Sequence, residues 1–252
     1  MLKHTFLHIP RVGMATERRL WADGIESWED ALRCYDDRQL GSGGTLIKHY
    51  LELSLSAWQR RDFSFFTQLL PASESWRLFP SCSRELAVRI AYLDIETTGM
   101  HADYESLTVI GLFDGEQVKY FVQGVNLEHF LDEIEQYELL VTFNGKCFDV
   151  PFLRATLPRV RLPRAHIDLR YVLRRLRLSG GLKAIERTAG VARPQDELGQ
   201  LDGFDAVLLW RLHKRGEPAA LSTLLRYNAE DVVGLKPLLE LACNRLMAEL
   251  PL

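Results

Sequence analysis

Two acidic residues lie two positions apart at the end of an apolar stretch of the chain. Asp94 and Glu96 follow Ala91, Tyr92 and Leu93. Because side chains alternate along a β-strand, both acids project from one face, about 7 Å apart along the chain. Carboxylates in an apolar setting need a cation or hydrogen-bond donors, and these two can reach one small metal ion. Solvent-facing alternation on a strand gives the same spacing, so the pair alone is weak support for a metal site.

Two more acids occur where the pattern predicts a helix. Asp149 follows the Asn144-Gly145 turn after a short apolar strand, where it is either a metal ligand or only a cap of the helix N-terminus. Asp231 lies one helical turn after Tyr227, so a phenol and a carboxylate are expected on the same helix face. Four clustered carboxylates would repel one another without metal, and oxygen atoms are the ligands that Mg²⁺ prefers. Asp149 and Asp231 are therefore separate candidates for binding a divalent cation, and local spacing alone does not bring them together with Asp94 and Glu96.

Arginine is concentrated in one segment of the chain. Although the formal net charge is −3, residues 154–177 contain eight arginines and a single acid, Asp168. Such an excess is typical of a surface that binds phosphate groups, but a solvated helix face would have the same composition. Arg170 and Arg174 are our candidates for contacts with a phosphate-bearing substrate. Asp168 precedes an amphipathic helix, where a helix cap is favoured over a further acid of the site.

The predicted elements change in kind near residue 87. Residues 1–86 carry apolar side chains at helical spacing, whereas three β-branched and aromatic stretches separated by turns follow from residue 87. Alternating strands and helices come next, and the last third of the chain is mostly helical. This order predicts an α/β fold with a mixed β-sheet flanked by helices. We predict two units, a small helical N-terminal region over 1–86 and the α/β domain over 87–252.

The composition is that of a globular protein. Hydrophobic residues make up 47% of the chain and charged residues 26%, which argues against a disordered chain and against a disulfide scaffold. The four cysteines have no paired spacing, so we expect reduced thiols rather than a zinc site. No apolar run approaches the roughly 18 residues that cross a bilayer, and no signal-peptide stretch is found. We expect a cytoplasmic protein without a membrane partner, and we leave its oligomeric state open.

Three motifs, in this order and spacing, resemble those of a known family. DIETTG at 94–99, N-x3-FD at 144–149 and Y-x3-D at 227–231 resemble the exonuclease motifs of the DEDD superfamily in its tyrosine-bearing form. The segments WRLFP, HIDL and LDGFDAVLLWRLHKRG extend the match, which is similar to the YprB-type RNase H-like exonucleases of bacteria. The resemblance covers roughly residues 74–246. It implies an RNase H-like fold and hydrolysis of phosphodiester bonds in DNA or RNA, typically from a free 3′ end.

The resemblance also implies roles for individual residues. The family binds two Mg²⁺ or Mn²⁺ ions, and its four metal-ligand positions fall on Asp94, Glu96, Asp149 and Asp231. Tyr227 matches the residue that orients the attacking water. The histidine-bearing branch would place histidine where this chain has Arg226, so the tyrosine form applies. The positions that touch the terminal nucleotide fall on Thr97, Thr98, Gly99 and Asn144, and Met100 stands where relatives often carry leucine.

The chemistry of the substrate explains why such a site needs cations. A phosphodiester is anionic and resists attack by hydroxide, so two cations about 3.5 to 4 Å apart neutralise it and activate the water. Two alternatives stay open at this point. One is an endonuclease of the same fold, and the other is a nucleic-acid-binding module without turnover. The complete set of five side chains argues against the second.

The N-terminal region contains a second, weaker resemblance. The segment from Ile9 to Trp21, IPRVGMATERRLW, resembles half of a helix-hairpin-helix motif, whose glycine-rich turn presents backbone N–H groups to DNA phosphates. Arg11 departs from it, because it stands where that motif usually has its first glycine. The segment is therefore interpreted either as a non-specific nucleic-acid contact or as packing against the rest of the chain.

Overall fold

The chain folds around a five-stranded mixed β-sheet flanked by helices, which confirms the α/β class. The strands follow in the order β3-β2-β1-β4-β5 across the sheet. β2 is antiparallel to β1 and β3, whereas β4 is parallel to β1 and β5. The strands are β1 (Ile90–Thr97), β2 (Leu107–Phe113), β3 (Val118–Val122), β4 (Leu139–Thr142) and β5 (Ala165–Asp168). The computed structural model describes residues 1–36, 42–80, 82, 85–103, 105–191 and 201–251.

Helices precede the sheet and also connect and follow its later strands. Before β1 lie α1 (Met14–Ala22), α2 (Trp28–Asp36), α3 (Ser42–Gln59), α4 (Phe63–Leu69), a 3-10 helix (Ala72–Arg77) and α5 (Leu78–Pro80). After β3 lie α6 (Phe130–Ile134), α7 (Asp149–Thr156), α8 (Leu169–Arg175), α9 (Leu182–Ala189), α10 (Gly203–Lys214) and α11 (Pro218–Met247). The three-strand meander and the later alternation of strands and helices therefore match the sequence-based prediction.

The turn before α1 shows how Arg11 is accommodated. Arg11 has a φ of 69°, the left-handed conformation that glycine adopts more readily. Ile9 and Val12 on either side are buried, whereas Arg11 is exposed. Arg11 therefore adopts a backbone conformation that a glycine would adopt without strain, at the position where the resemblance expects glycine. Binding of nucleic acid by this turn stays a prediction.

One hydrophobic cluster extends across the proposed boundary between residues 86 and 87. Trp28 and Phe66 from the N-terminal helices belong to the same cluster as Leu139 of β4 and Leu238 of α11. α4 packs against β5, at the edge of the sheet. The division into two units remains a proposal, but the apolar side chains of both parts form a continuous core.

A buried network of ion pairs also joins the two parts. Arg77 is fully buried, and its guanidinium lies 3.0 Å from Glu17 of α1 and 2.8 Å from Glu74. Glu74 in turn contacts Arg175 at the end of α8. Removing one partner of a buried ion pair typically costs about 3–5 kcal/mol. The network therefore holds α8 against the N-terminal helices.

Two expectations drawn from composition concern the cysteines and the membrane. No disulfide joins Cys34, Cys82, Cys147 or Cys243 in the described part of the chain. Over the described part of the chain, none of the helices is both long enough and apolar enough to cross a bilayer.

Candidate functional site

The topology of the sheet brings separate acids to one edge. β1, β4 and β5 are parallel, so their carboxyl ends meet at the same edge, where sheets of this kind usually bind ligands. Asp94 and Glu96 lie in the second half of β1. Asp149 begins α7, the helix that follows β4. Asp231 comes to the same edge from the long helix α11.

Three of the four predicted acids converge closely. One carboxylate oxygen from each of Asp94, Glu96 and Asp231 lies within 4.8 Å of the other two. Glu96 and Asp231 are each only 8% exposed, and Asp94 is half-buried. Oxygen atoms this close suit a hard divalent cation, because its ligands lie about 2.0–2.6 Å from the ion. The group is therefore a candidate metal centre.

Asp149 lies beside this group rather than within it. Its carboxylate accepts hydrogen bonds from the backbone of Ile95 and from its own backbone, and its side chain is buried. Its negative charge contributes to raising the pKa of Glu96. The structure thus places all four acids in one neighbourhood, with Asp149 displaced from the other three.

Burial and mutual repulsion change the acidity of these groups. Burial raises the pKa of the Glu96 carboxyl to about 8, and the charge of Asp231 adds to the rise. Burial also raises the pKa of Asp149 to about 7. A nearby cation would reverse this effect by stabilising the carboxylate form. A bound cation would therefore stabilise these carboxylates, whereas without one their negative charges repel one another.

The loop before Asp149 is held in place by Asp168 at the end of β5. Asp168 caps α8, as predicted, by accepting from the backbone N–H of Arg170 at 3.1 Å. The same carboxylate accepts from the backbone N–H groups of Asn144 at 2.8 Å and Lys146 at 3.0 Å. Asp168 therefore positions the loop that leads to Asp149.

The sequence analysis did not identify Asn228, which contacts two of the acids. It is fully buried, and its side-chain amide donates to Asp94 at 3.0 Å and to Glu96 at 3.3 Å. Gly111 of β2 pairs with Asp94, and a Cβ at position 111 would lie 1.8 Å from the Asn228 amide oxygen. A glycine inside a strand often marks such a close approach. Gly111, between two buried residues of β2, was the signal in the sequence.

We expect Asn228→Ala to weaken binding of Mn²⁺ by about 10-fold to 100-fold, the usual effect of removing a group that orients metal ligands. The reason is that Asp94 and Glu96 lose their common donor. Isothermal titration calorimetry with Mn²⁺ measures the change, with circular dichroism as the check on folding. Ser222→Ala, an exposed change at the start of the same helix, is the control. Equal affinity of the wild type and Asn228→Ala for Mn²⁺ would show that Asn228 does not position the metal ligands.

A cleft of about 460 Å³ opens over the acids. We call it the acidic cleft, and most of the predicted site residues line it. These are Asp94, Glu96, Thr97, Thr98, Gly99, Met100, Tyr227 and Asp231. The remaining lining comes from Ile95, Phe148, Gly203, Phe204, Val207 and Arg211. The tyrosine and three of the four acids that the motifs single out therefore face one common space, whereas Asp149 does not line it.

A lysine contacts the tyrosine of this cleft. The Lys183 ammonium lies 4.6 Å from the centre of the Tyr227 ring, and it also hydrogen-bonds to the carbonyl oxygen of Leu201. Its positive charge opposes the rise in the pKa of Glu96. Lys183 was not predicted as a site residue from the sequence. Its role near the acids depends on how α9 packs against α11, which local spacing does not show.

α10 contributes a face that the sequence analysis also missed. Phe204, Val207 and Arg211 line the acidic cleft at positions i, i+3 and i+7 of this helix. Phe204 is 73% exposed, as is Met100. The helical spacing was visible in the sequence, but it resembles that of any amphipathic helix.

Asn144, Arg170 and Arg174 lie outside the acidic cleft. They line a second cleft, of about 830 Å³, which we call the arginine cleft. The Arg170 guanidinium contacts the side-chain oxygen of Asn144. The full lining is Phe143, Asn144, Arg170, Arg174, Arg177, Leu178, Ser179, Gly180, Gly181 and Ile185. The predicted substrate contacts are thus divided between two clefts.

Comparison with known sequences links this architecture to described proteins. A family model described as RNase_H superfamily matches residues 91–243. The chain is 34% identical over 134 residues to the uncharacterized protein YprB of Bacillus subtilis strain 168. That match covers 48% of this chain and 31% of the relative, so it spans less than a third of the relative's length.

Two solved structures match parts of this chain at low sequence identity. The family B DNA polymerase of the archaeon Pyrobaculum calidifontis matches with a TM-score of 0.50 and 17% identity, over 62% of this chain and 27% of that chain. The EXO domain of Nibbler from Aedes aegypti has a TM-score of 0.47 and 13% identity, over 69% and 85% of the two chains. The first match supports the fold alone.

Proposed function

Because this chain belongs to the RNase H superfamily, we propose that it is a metal-dependent nuclease that hydrolyses phosphodiester bonds of DNA or RNA. The observation that carries the proposal is the convergence of Asp94, Glu96 and Asp231 within 4.8 Å at the carboxyl edge of the sheet. A cleft lies over these oxygens, so a substrate has access to them. The tyrosine-bearing DEDD type is part of the proposal, and Tyr227 beside Asp231 supports it.

The proposed site has two cation positions. Asp94, Glu96 and Asp231 would hold one Mg²⁺ or Mn²⁺ ion, and Asp149 beside Glu96 would contribute to a second. When bound, the cations neutralise the phosphodiester, lower the pKa of the attacking water and stabilise the leaving oxygen. All donors in the group are carboxylate oxygens, which favours hard cations over zinc.

The remaining polar side chains of the site position the reactants. The Tyr227 phenol, one helical turn before Asp231, would hold the attacking water by a hydrogen bond. Lys183 packs its ammonium over the Tyr227 ring and restricts its orientation. Asn228 keeps the carboxylates of β1 aligned by donating to both.

The mouth of the acidic cleft suits the end of a nucleic-acid strand. Thr97 donates its hydroxyl to the carbonyl oxygen of Gly99 at 2.6 Å, so the turn after β1 is internally braced. Met100 and Phe204 expose apolar surface at the cleft, where they would stack on the bases of the terminal nucleotides. Arg211 would pair with a phosphate. We propose that the end bound here is a 3′ end.

Product analysis tests this function. The wild-type chain is incubated with 5′-labelled DNA and RNA, single-stranded and double-stranded, in millimolar Mg²⁺ or Mn²⁺. We expect a ladder of shortening labelled products, because removal from the 3′ end leaves the label on the remaining strand. EDTA should stop the reaction, and a circular single strand should resist it.

Other product patterns would contradict parts of the proposed function. Discrete internal fragments, together with cleavage of the circle, would indicate an endonuclease of the same fold. Immediate release of a labelled mononucleotide would show that hydrolysis starts at the 5′ end instead of the 3′ end. No cleavage of any substrate with either metal, while the protein still binds the strands, would leave a binding module without turnover.

A further inference from the structure

The arginine cleft is concave and positively charged. Arg170, Arg174 and Arg177 line it with exposed side chains. Among the described residues, no carboxylate lines this cleft, and none of the three arginines forms an ion pair with an acid. Positive charges gathered in a concave surface focus the electrostatic field and attract anions. The cleft is therefore suited to a polyanion.

The backbone at Arg177 is unusual for an arginine. Its φ of 59° lies in the left-handed region, just after the end of α8. Glycine is the common residue at such a helix end, because it adopts this conformation without strain from a Cβ. The chain thus keeps a charged side chain where glycine would fit the backbone better. Arg170 and Arg174, one turn apart on α8, repel each other unless an anion lies between them.

The first turn of α9 separates the arginine cleft from the acidic cleft. Gly181 and Ile185 line the arginine cleft. Lys183, between them in sequence, lies over Tyr227, which lines the acidic cleft. Positions 181 and 183 are at most about 7 Å apart along the chain. The two clefts are therefore separated by about one helical turn, a short distance for a flexible polyanion to span.

We propose that the arginine cleft binds the sugar-phosphate backbone of the strand whose end lies in the acidic cleft, so that the substrate is a strand of several nucleotides. This inference rests on the proposed function. The guanidinium groups pair with phosphate oxygens, which gives affinity and register without reading the bases. A dinucleotide would fill the acidic cleft alone and gain nothing from the arginines.

A double variant tests the proposal with little risk to folding. Arg174→Gln and Arg177→Gly together remove two charges, and the glycine relieves the left-handed backbone. The substrates are DNA and RNA strands of about 15 nucleotides, long enough to cross both clefts. Thymidine 5′-(p-nitrophenyl phosphate), which has one phosphodiester, is the internal reference. We expect KM for both strands, relative to KM for the ester, to rise by about tenfold or more.

A matched pair of arginines outside the cleft provides the control. Arg159 and Arg161 lie in the same arginine-rich segment but beside Glu128 and Glu135, away from both clefts. Arg159→Gln with Arg161→Gln removes the same charge, and the KM ratio should stay within about twofold. The salt dependence of strand binding should become shallower by about 1.4 in the double cleft variant, since each phosphate contact on a single strand contributes about 0.7.

Binding of fluorescent strands in EDTA separates this proposal from the proposed function. Weaker binding by the cleft variant, without hydrolysis by any protein, would support the cleft and overturn the nuclease. Equal binding by the wild type and the cleft variant would overturn the cleft, whatever the hydrolysis. An equal rise of KM for the ester and the strands, or an equal effect of the control pair, would do the same.

Discussion

Asp94→Asn is expected to reduce Mg²⁺- or Mn²⁺-dependent cleavage by about 1000-fold or more, because a neutral amide replaces one of the three converging carboxylates. Loss of several kcal/mol of charge stabilisation at the reacting phosphate corresponds to a rate change of this size. Asn has almost the same shape as Asp and keeps an oxygen that accepts from Asn228. Single-turnover rates on a labelled strand, with saturating protein, measure the chemical step apart from binding.

The control is a matched change far from the site. Asp132→Asn removes an exposed carboxylate on α6, and its cleavage rate should equal that of the wild type. Thermal melting should show that Asp94→Asn folds, since removing a charge from an acidic group relieves repulsion. Cleavage by Asp94→Asn at the wild-type rate, with contaminating nuclease excluded by an independent preparation, would overturn the proposed function.

Divalent cations should raise the melting temperature, and the rise should grow with pH. Burial raises the pKa of Glu96 to about 8, against 4.5 for an ordinary glutamate. Between about pH 4.5 and 8, the Glu96 carboxyl of the folded, metal-free protein therefore keeps a proton that the same carboxyl has released in the unfolded chain. This contribution to stability is fully present below about pH 4.5 and is lost as pH rises through about 8. Asp149 acts in the same direction, with its pKa raised to about 7.

Metal binding offsets this loss, because a cation stabilises the ionised carboxylates. A cation at 100 times its Kd contributes about 2.7 kcal/mol, which for a chain of this size raises Tm by about 5–10 °C. Differential scanning fluorimetry between about pH 6 and 9, in EDTA and in millimolar Mn²⁺, measures both effects. Glu96→Gln cannot ionise and should flatten the dependence on pH. A melting temperature that Mn²⁺ does not change at any pH would contradict the proposed metal centre.

Local sequence patterns predicted the parts of the site that depend on neighbours along the chain. The alternation of Asp94 and Glu96 on one strand, the single helical turn between Tyr227 and Asp231, and the meander of three strands follow from the periodicities of strand and helix. The cap formed by Asp168 follows from its place before α8. These features need no knowledge of which elements pack together.

The features that sequence analysis missed depend on packing between distant elements. Asn228 contacts Asp94 only because Gly111 lets α11 approach β2 closely. Phe204 reaches the acidic cleft because α10 packs against α11 and β1. The motifs also gave no sign that Asn144 and Arg170 lie in a separate cleft. Side-chain periodicity indicates a face of a helix but not the partner of that face.

The buried ion network links the arginine cleft to the N-terminal helices. α8 carries Arg174 in that cleft and, one residue on, Arg175 in contact with Glu74. A polypeptide cut at residue 87 would lack Glu74, and among the described residues Arg175 would keep the longer contact to Glu249, at 3.8 Å. The arginine cleft would then lose the ion pair between Arg175 and Glu74 that holds α8 in position. The shape of the arginine cleft therefore depends on residues that lie before residue 87.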